Sequence, residues 1–98
     1  MQLQERINAF VKLGDFIRQF SSEDIHKADN VEHNETFFDG FKHQIKLTQE
    51  QNGWFTITNI TFALNSWVNA LTKSNMSQWL KPYDFSEIAP KTVAIVMA

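Results

Sequence analysis

The sequence contains no cysteine among its 98 residues. This absence excludes a disulfide framework, zinc sites built from thiolates and a thiol nucleophile within this stretch. Only 3 glycines and 2 prolines are present, so the chain is neither loop-rich nor of low complexity. Because Gly14, Gly40 and Gly53 stand far apart, no glycine-rich loop that could cradle a phosphate is predicted.

A strong charge of one sign is also missing, as is a long apolar run. The net charge is −2, and the lysines and arginines are scattered singly, so no basic stripe is available to meet nucleic-acid phosphates. The longest apolar run, residues 93–98, is far too short to span a bilayer. Residues 1–6 are polar and do not lead into a secretory signal core. We therefore expect a cytoplasmic location, no membrane span and no nucleic-acid partner.

Aromatic side chains are abundant. The sequence is 43% hydrophobic and 13% aromatic, with 9 phenylalanines and 3 tryptophans. This content is ample for a folded domain, although a chain of this length can bury only a modest core. One small domain is expected.

Apolar residues at helical spacing predict four helices, separated by polar or turn-forming residues. The predicted helices cover residues 3–20, residues 35–51 with Asn34 as cap, a third stretch from Thr56 or Thr58 to about Leu71, and a fourth from Ser74 to just before Pro82. Residues 22–33 are polar and predict either a short helix or an exposed connection.

The dipeptide Asn52-Gly53 allows two interpretations. Glycine can close a helix by adopting the left-handed conformation, but Asn-Gly followed by Trp54 to Thr58 also fits a β-hairpin. Residues 46–51 show little of the apolar alternation that a partner strand needs. Helix, turn and helix is therefore the preferred interpretation.

The last residues differ from all the others. Residues 91–98 form a nearly continuous apolar run rich in β-branched side chains, which is typical of a strand covered on both faces in a parallel α/β sheet. No other convincing strand precedes it, so we expect the first strand of a truncated α/β domain. The alternatives are a strand that pairs with a second copy of the chain and a short final helix.

The predicted fold is therefore mainly α: a small bundle of about four helices that ends in one β-strand. Three parts are expected along the chain. They are a helical amino-terminal region at residues 1–83, a linker at residues 84–90, and the strand at residues 91–98.

The order of several short motifs resembles the amino-terminal part of acyl-CoA reductases of the LuxC type, which belong to the aldehyde dehydrogenase superfamily. The resemblance spans essentially the whole chain. The motifs that carry it are Asn52-Gly53-Trp54-Phe55-Thr56, Ile60-Thr61-Phe62-Ala63-Leu64, Trp79-Leu80 and the block from Pro90 to Ala98.

The resemblance implies an oxidoreductase that converts a fatty acyl-CoA to an aldehyde through an acyl-cysteine intermediate, with NADPH as hydride donor. The family's catalytic cysteine and the turn beside its cofactor lie beyond this stretch. The resemblance therefore assigns no catalytic, cofactor-binding or metal-binding residue here, and the chain is expected to be inactive without the rest of the parent enzyme. The alternative is a free-standing helical protein-interaction module that docks by β-augmentation. A homo-oligomer is also considered, and a clean dimer would favour the module.

Polar candidates for a site are weak. The three histidines lie near several carboxylates in the sequence, but their spacing matches no helical metal-binding pair, so ordinary surface histidines are expected. The carboxylates are expected to be solvated. The histidines are His26, His33 and His43, near Asp24, Asp29, Glu32 and Asp39. The carboxylates considered for catalysis are Asp15, Glu23, Asp24, Asp39, Glu50, Asp84 and Glu87.

Two interpretations exist for four aromatic residues: they line a channel for an acyl chain, or they pack in the core. The residues are Trp54, Phe55, Trp67 and Trp79. Core packing is favoured, because aromatic side chains dominate small cores. An exposed apolar patch is nevertheless expected where the helical region would abut the nucleotide-binding domain of the parent.

Overall fold

A computed structural model describes residues 2–97 of the chain. Four α-helices follow one another along the sequence: α1 at Leu3–Arg18, α2 at Asn34–Gln51, α3 at Ile57–Ala70 and α4 at Lys73–Leu80. The predicted four-helix arrangement is therefore confirmed. No strand is present between residues 2 and 97. Residue 98, the last of the predicted strand, lies outside the described residues.

Helix α1 begins one residue after Gln2, whose backbone N–H donates to the Glu5 carboxylate at 2.9 Å and so satisfies a donor at the helix start. The helix ends at Arg18, two residues earlier than the sequence predicts. Beyond it the chain tightens into a turn in which the N–H of Phe20 donates to the Ile17 carbonyl at 2.8 Å. The turn carries Phe20 inward, where it is 1% exposed.

The core consists of two clusters on opposite sides of α1. One contains Ile7, Leu71 and Met76, and joins α1 to the end of α3 and to α4. The other contains Phe16, Phe20 and Phe38, and joins the end of α1 to α2. The Phe20 ring centroid lies 4.9 Å from that of Phe38, a separation at which aromatic pairs attract each other. The phenylalanines therefore hold α2 against the bundle.

Gly14 lies at the closest approach of α1 to the end of α3. The sequence predicts only that this glycine weakens its helix, but the residue is buried. A Cβ atom on Gly14 would lie 2.9 Å from the Leu71 Cβ and 2.9 Å from the Leu71 carbonyl oxygen. The absence of a side chain is therefore what allows α1 and α3 to pack at this spacing.

We expect Gly14→Ala to lower the free energy of unfolding by about 1 kcal/mol, because a clash with backbone atoms costs more than the helix propensity gained. Gly40→Ala is the matched control. Gly40 also lies within a helix, but nothing is found within 4 Å of the position of its Cβ. That variant should be more stable by about 0.5–1 kcal/mol. Urea unfolding of both variants checks the difference, and equal stabilisation by both substitutions would contradict the close packing.

The connection between α1 and α2 contains turns and no helix, which decides between the two interpretations of residues 22–33. Two of its residues, Asn30 and His33, have the positive φ angles of 61° and 69°. Asparagine tolerates this left-handed conformation better than most residues. His33 is the N-cap of α2, so the prediction that Asn34 caps this helix is wrong.

Asn34 instead pairs with Gln19. The Gln19 amide nitrogen donates to the Asn34 side-chain oxygen at 2.8 Å, and the Asn34 amide nitrogen donates back to the Gln19 side-chain oxygen at 2.8 Å. The two amides also bind Ala28, whose N–H donates to Gln19 at 2.9 Å and whose carbonyl accepts from Asn34 at 3.1 Å. Because both side chains are buried, this pair fixes the connection between α1 and α2.

We expect Asn34→Ala to lower the free energy of unfolding by about 1–3 kcal/mol, because the buried Gln19 amide would lose the two hydrogen bonds that it makes with Asn34. Asn8→Ala is the control. Asn8 accepts a hydrogen bond from Gln4 at 3.1 Å on the exposed face of α1, so its loss should cost less than about 0.5 kcal/mol. A double-mutant cycle between Gln19→Ala and Asn34→Ala should show coupling, and simple additivity would contradict the pairing.

Asn52-Gly53 ends α2 and begins a turn, so the helix-turn-helix interpretation is confirmed. The expected left-handed glycine is wrong, since no glycine of the chain has a positive φ. Asn52 closes the turn itself: its side-chain oxygen accepts from the Trp54 N–H at 3.0 Å and its carbonyl accepts from the Phe55 N–H at 3.0 Å.

Threonines start the last two helices. Thr56 caps α3 by accepting from the Asn59 N–H at 3.1 Å, and Thr72 caps α4 by accepting from the Asn75 N–H at 3.2 Å. The alternative cap at Thr58 and the predicted start at Ser74 are therefore wrong. None of the helices within residues 2–97 is both long enough and apolar enough to cross a bilayer.

Residues 91–97 have no regular secondary structure, and we call them the apolar segment. The short final helix considered from the sequence is therefore wrong for these residues. Their large side chains lie in solvent, with Val96 96% and Met97 86% exposed. The predicted strand is not formed within residues 91–97, since a strand needs a neighbouring strand to receive its hydrogen bonds.

Candidate functional site

The histidines do not gather into a site. His26, His33 and His43 are all exposed, as predicted. His26 lies 2.9 Å from the Asp24 carboxylate, two residues away, and His33 lies 3.9 Å from Glu32, its neighbour in the chain. Among residues 2–97 no three histidine, aspartate or glutamate side chains form a group that could hold a metal ion.

The carboxylates weighed as catalytic candidates are exposed as well, which confirms that they are solvated. On the surface, Asp15 pairs with Arg18 at 3.1 Å, and Glu32 pairs with Lys12 at 3.0 Å. Exposed ion pairs of this kind stabilise a protein little and do not shape a reaction centre.

The pKa of the Asp84 carboxylate is displaced by hydrogen bonds within the linker. The Ser86 backbone N–H donates to it at 2.9 Å and the Ser86 hydroxyl donates at 2.7 Å. The backbone hydrogen bond makes the larger contribution, and together the two hydrogen bonds lower the pKa of Asp84 below its ordinary value of 3.8. The pair forms a local turn in the linker that leads to the apolar segment.

Because the pKa of Asp84 is lowered, its turn is fully stabilised above about pH 4 and loses that stabilisation as the pH falls through the folded pKa. We expect Ser86→Ala to raise the pKa of Asp84 partway back towards 3.8, since the backbone hydrogen bond remains. A carboxyl carbon titration by NMR measures this. Ser77→Ala, on the exposed face of α4, is the control and should leave the Asp84 titration unchanged; an unchanged titration in Ser86→Ala would contradict the turn.

The four aromatic residues predicted to pack in the core are on the surface. Trp54, Phe55, Trp67 and Trp79 are 84%, 48%, 60% and 66% exposed. Core packing is therefore the wrong interpretation for these side chains. Trp79 shows the reason: α4 buries Met76 and half-buries Leu80, so Trp79 falls at the edge of its apolar face.

Two of these tryptophans form a groove with residues from three helices. The aromatic groove is lined by Phe10 of α1, Trp67 of α3, Trp79 of α4, and Leu71 and Met76 at its base, and encloses about 660 Å³. Its walls are exposed while Leu71 and Met76 belong to the core. The expected exposed apolar patch is therefore present.

A second groove lies between α1 and α2 and encloses about 640 Å³. Leu13 and Phe16 line one side, Phe37 and Phe41 line the other, and Gly40 leaves it open. Helix α1 packs mainly against α3 and α4, so α2 meets it chiefly through the phenylalanine cluster. Both grooves are apolar concave surfaces of the kind that receive a partner's side chains.

The described residues therefore present two apolar grooves at the surface. Sequence periodicity located the helices but not the grooves, because the groove walls are the edges of apolar faces that also form the core. Comparison with family models, with curated proteins and with solved structures gives no match for this chain. The geometry of the exposed apolar surfaces is what supports a function.

Proposed function

We propose that the chain is the helical amino-terminal module of a cytoplasmic acyl-CoA reductase, and that its role within that enzyme is to pack against the nucleotide-binding domain. The observation that carries the proposal is the apolar segment, which follows the folded bundle and exposes its own large side chains to solvent. Val93, Ile95, Val96 and Met97 are all at least 78% exposed.

Exposure of these side chains has a large energetic consequence. Full burial of a valine, isoleucine or methionine side chain is favourable by about 1.5–3 kcal/mol. Burial of the four such side chains within residues 93–97 by a neighbouring sheet would therefore be favourable by several kcal/mol. Alternate residues of a strand point to opposite faces, so a continuous apolar run fits a sheet with helices on both sides.

The aromatic groove supports the same proposal. The helix that ends next to Trp79 leads through the linker at residues 84–90 into the apolar segment. An α/β domain that received the segment as a strand would begin close to the groove and could cover Trp67 and Phe10 as well. Under this proposal the catalytic residues lie in the rest of the enzyme. The resemblance implies that the enzyme forms an acyl-cysteine intermediate and that NADPH donates the hydride.

The coding sequence that follows codon 98 tests the proposal directly. We expect it to continue into a Gly-Asn-x-Pro turn, and the longer polypeptide to oxidise NADPH when a fatty acyl-CoA is added. Within that polypeptide, Val96→Asp should lower the yield of active enzyme at least tenfold, because a buried carboxylate costs several kcal/mol. Ala89→Asp in the exposed linker is the control. A stop codon after Ala98 would remove the proposal's support.

A second candidate, a free-standing helical interaction module, is favoured by a different observation. Among the described residues no buried side-chain nitrogen or oxygen lacks a hydrogen-bond partner. The bundle also closes two apolar clusters by itself. Such an interior fits a unit that folds on its own, and under this second proposal its exposed apolar surfaces would serve to bind a partner.

A further inference from the structure

We propose that the apolar segment of one copy occupies the aromatic groove of a second copy, and that the exchange is mutual, so that the chain forms a two-fold symmetric dimer. The inference rests on the second candidate function, the interaction module, and names its partner. In such a dimer each copy gives one segment and receives one, and the interface is self-complementary.

The two surfaces match in chemistry. Residues 92–97 carry no charge, and the groove is lined by apolar residues together with Asn69 and Asn75. The Asn75 amide already donates to the Asn69 carbonyl at 2.6 Å. Contact would therefore bury no charged group, and burial of unpaired charge is the largest cost that an apolar interface faces.

The two surfaces together are also large enough for a dimer interface. Trp67, Trp79 and Phe10 are 60%, 66% and 49% exposed, and the segment's four large side chains are more exposed still. At the usual areas of such side chains, groove and segment together offer about 500–850 Å² on each copy. A stable dimer buries about 600–1,000 Å² on each partner. Neither surface alone reaches that size.

The linker favours exchange between copies over folding back within one copy. Pro90 holds the preceding residue, Ala89, in an extended conformation. The Asp84–Ser86 turn and the contact between the Tyr83 and Phe85 rings, 6.1 Å apart, stiffen the linker before it. Fully extended, the eight residues from Tyr83 to Pro90 would span about 26–29 Å, and the turn shortens this reach. The segment does not enter the groove of its own copy, since Val96 is 96% and Trp79 66% exposed.

Two variants of the whole chain test the exchange by light scattering over a range of concentrations. The segment variant carries Ile95→Asp and Val96→Asp, and the groove variant carries Trp79→Ala. We expect each to weaken dimerisation at least about 30-fold, as residues at the centre of an interface do. Trp54→Ala, an exposed tryptophan outside the groove, and Ala89→Asp in the linker are the controls and should dimerise like the original chain.

Mixing the two variants gives the decisive result. Each variant alone loses both segment–groove contacts, whereas the mixture keeps one of the two. The mixture should therefore associate more strongly than either variant alone and more weakly than the original chain. All the substituted residues are exposed, so circular dichroism should show the same helix content in every variant. The urea midpoints should agree at concentrations low enough for every variant to be monomeric, since dimerisation itself raises the midpoint.

Several outcomes would overturn the exchange. A groove variant that still dimerises alone would mean that the segments pair with each other as strands. A segment variant that still dimerises alone would mean that two grooves meet. A monomeric original chain would rule out a second copy as partner. If hydrogen exchange then showed the segment to be protected, the segment would lie in the groove of its own molecule. None of these results touches the reductase proposal, which the sequence after codon 98 decides.

Discussion

Gly14 sets the spacing on which the arrangement of this bundle depends. A hydrogen in place of a side chain lets α1 lie against the Leu71 backbone at the end of α3, and this contact places Leu71 and Met76 between three helices. Those two residues are at once the floor of the aromatic groove and part of the core. If α1 were displaced outward, Phe10 would move away from Trp67 and the groove would lose its shape.

The Gln19–Asn34 amide pair performs a different task at the other end of α1. It fixes a connection that has no helix or strand of its own, and it does so with side chains that satisfy each other. Helix α2 is thereby held at its beginning, and Phe38, Phe41 and Ile45 hold it further along through the phenylalanine cluster. The second groove lies between α1 and α2 beside this cluster.

Much of the fold could be predicted from the sequence. The spacing of Leu3, Ile7 and Phe20, the polar stretch before Asn34 and the turn at Asn52-Gly53 all indicate elements or boundaries that the structure contains within a few residues. Long-range contacts could not be predicted in this way. Nothing local shows that Asn34 pairs with Gln19 rather than capping its own helix, or that Gly14 meets Leu71. The exposure of Trp67 and Trp79 likewise depends on how far neighbouring helices reach, which periodicity does not describe.

In this molecule, different apolar side chains fill the interior and line the exposed surfaces. Phe16, Phe20 and Phe38 hold the bundle together from within, whereas Trp67, Trp79 and the apolar segment contribute little to its interior. Substitutions on the surfaces that would meet a partner can therefore accumulate without unfolding the chain. Because Leu71 and Met76 belong to both the core and the aromatic groove, a change at either position would alter the stability of the bundle and the shape of the groove together, whereas the exposed groove walls can change with little effect on the bundle.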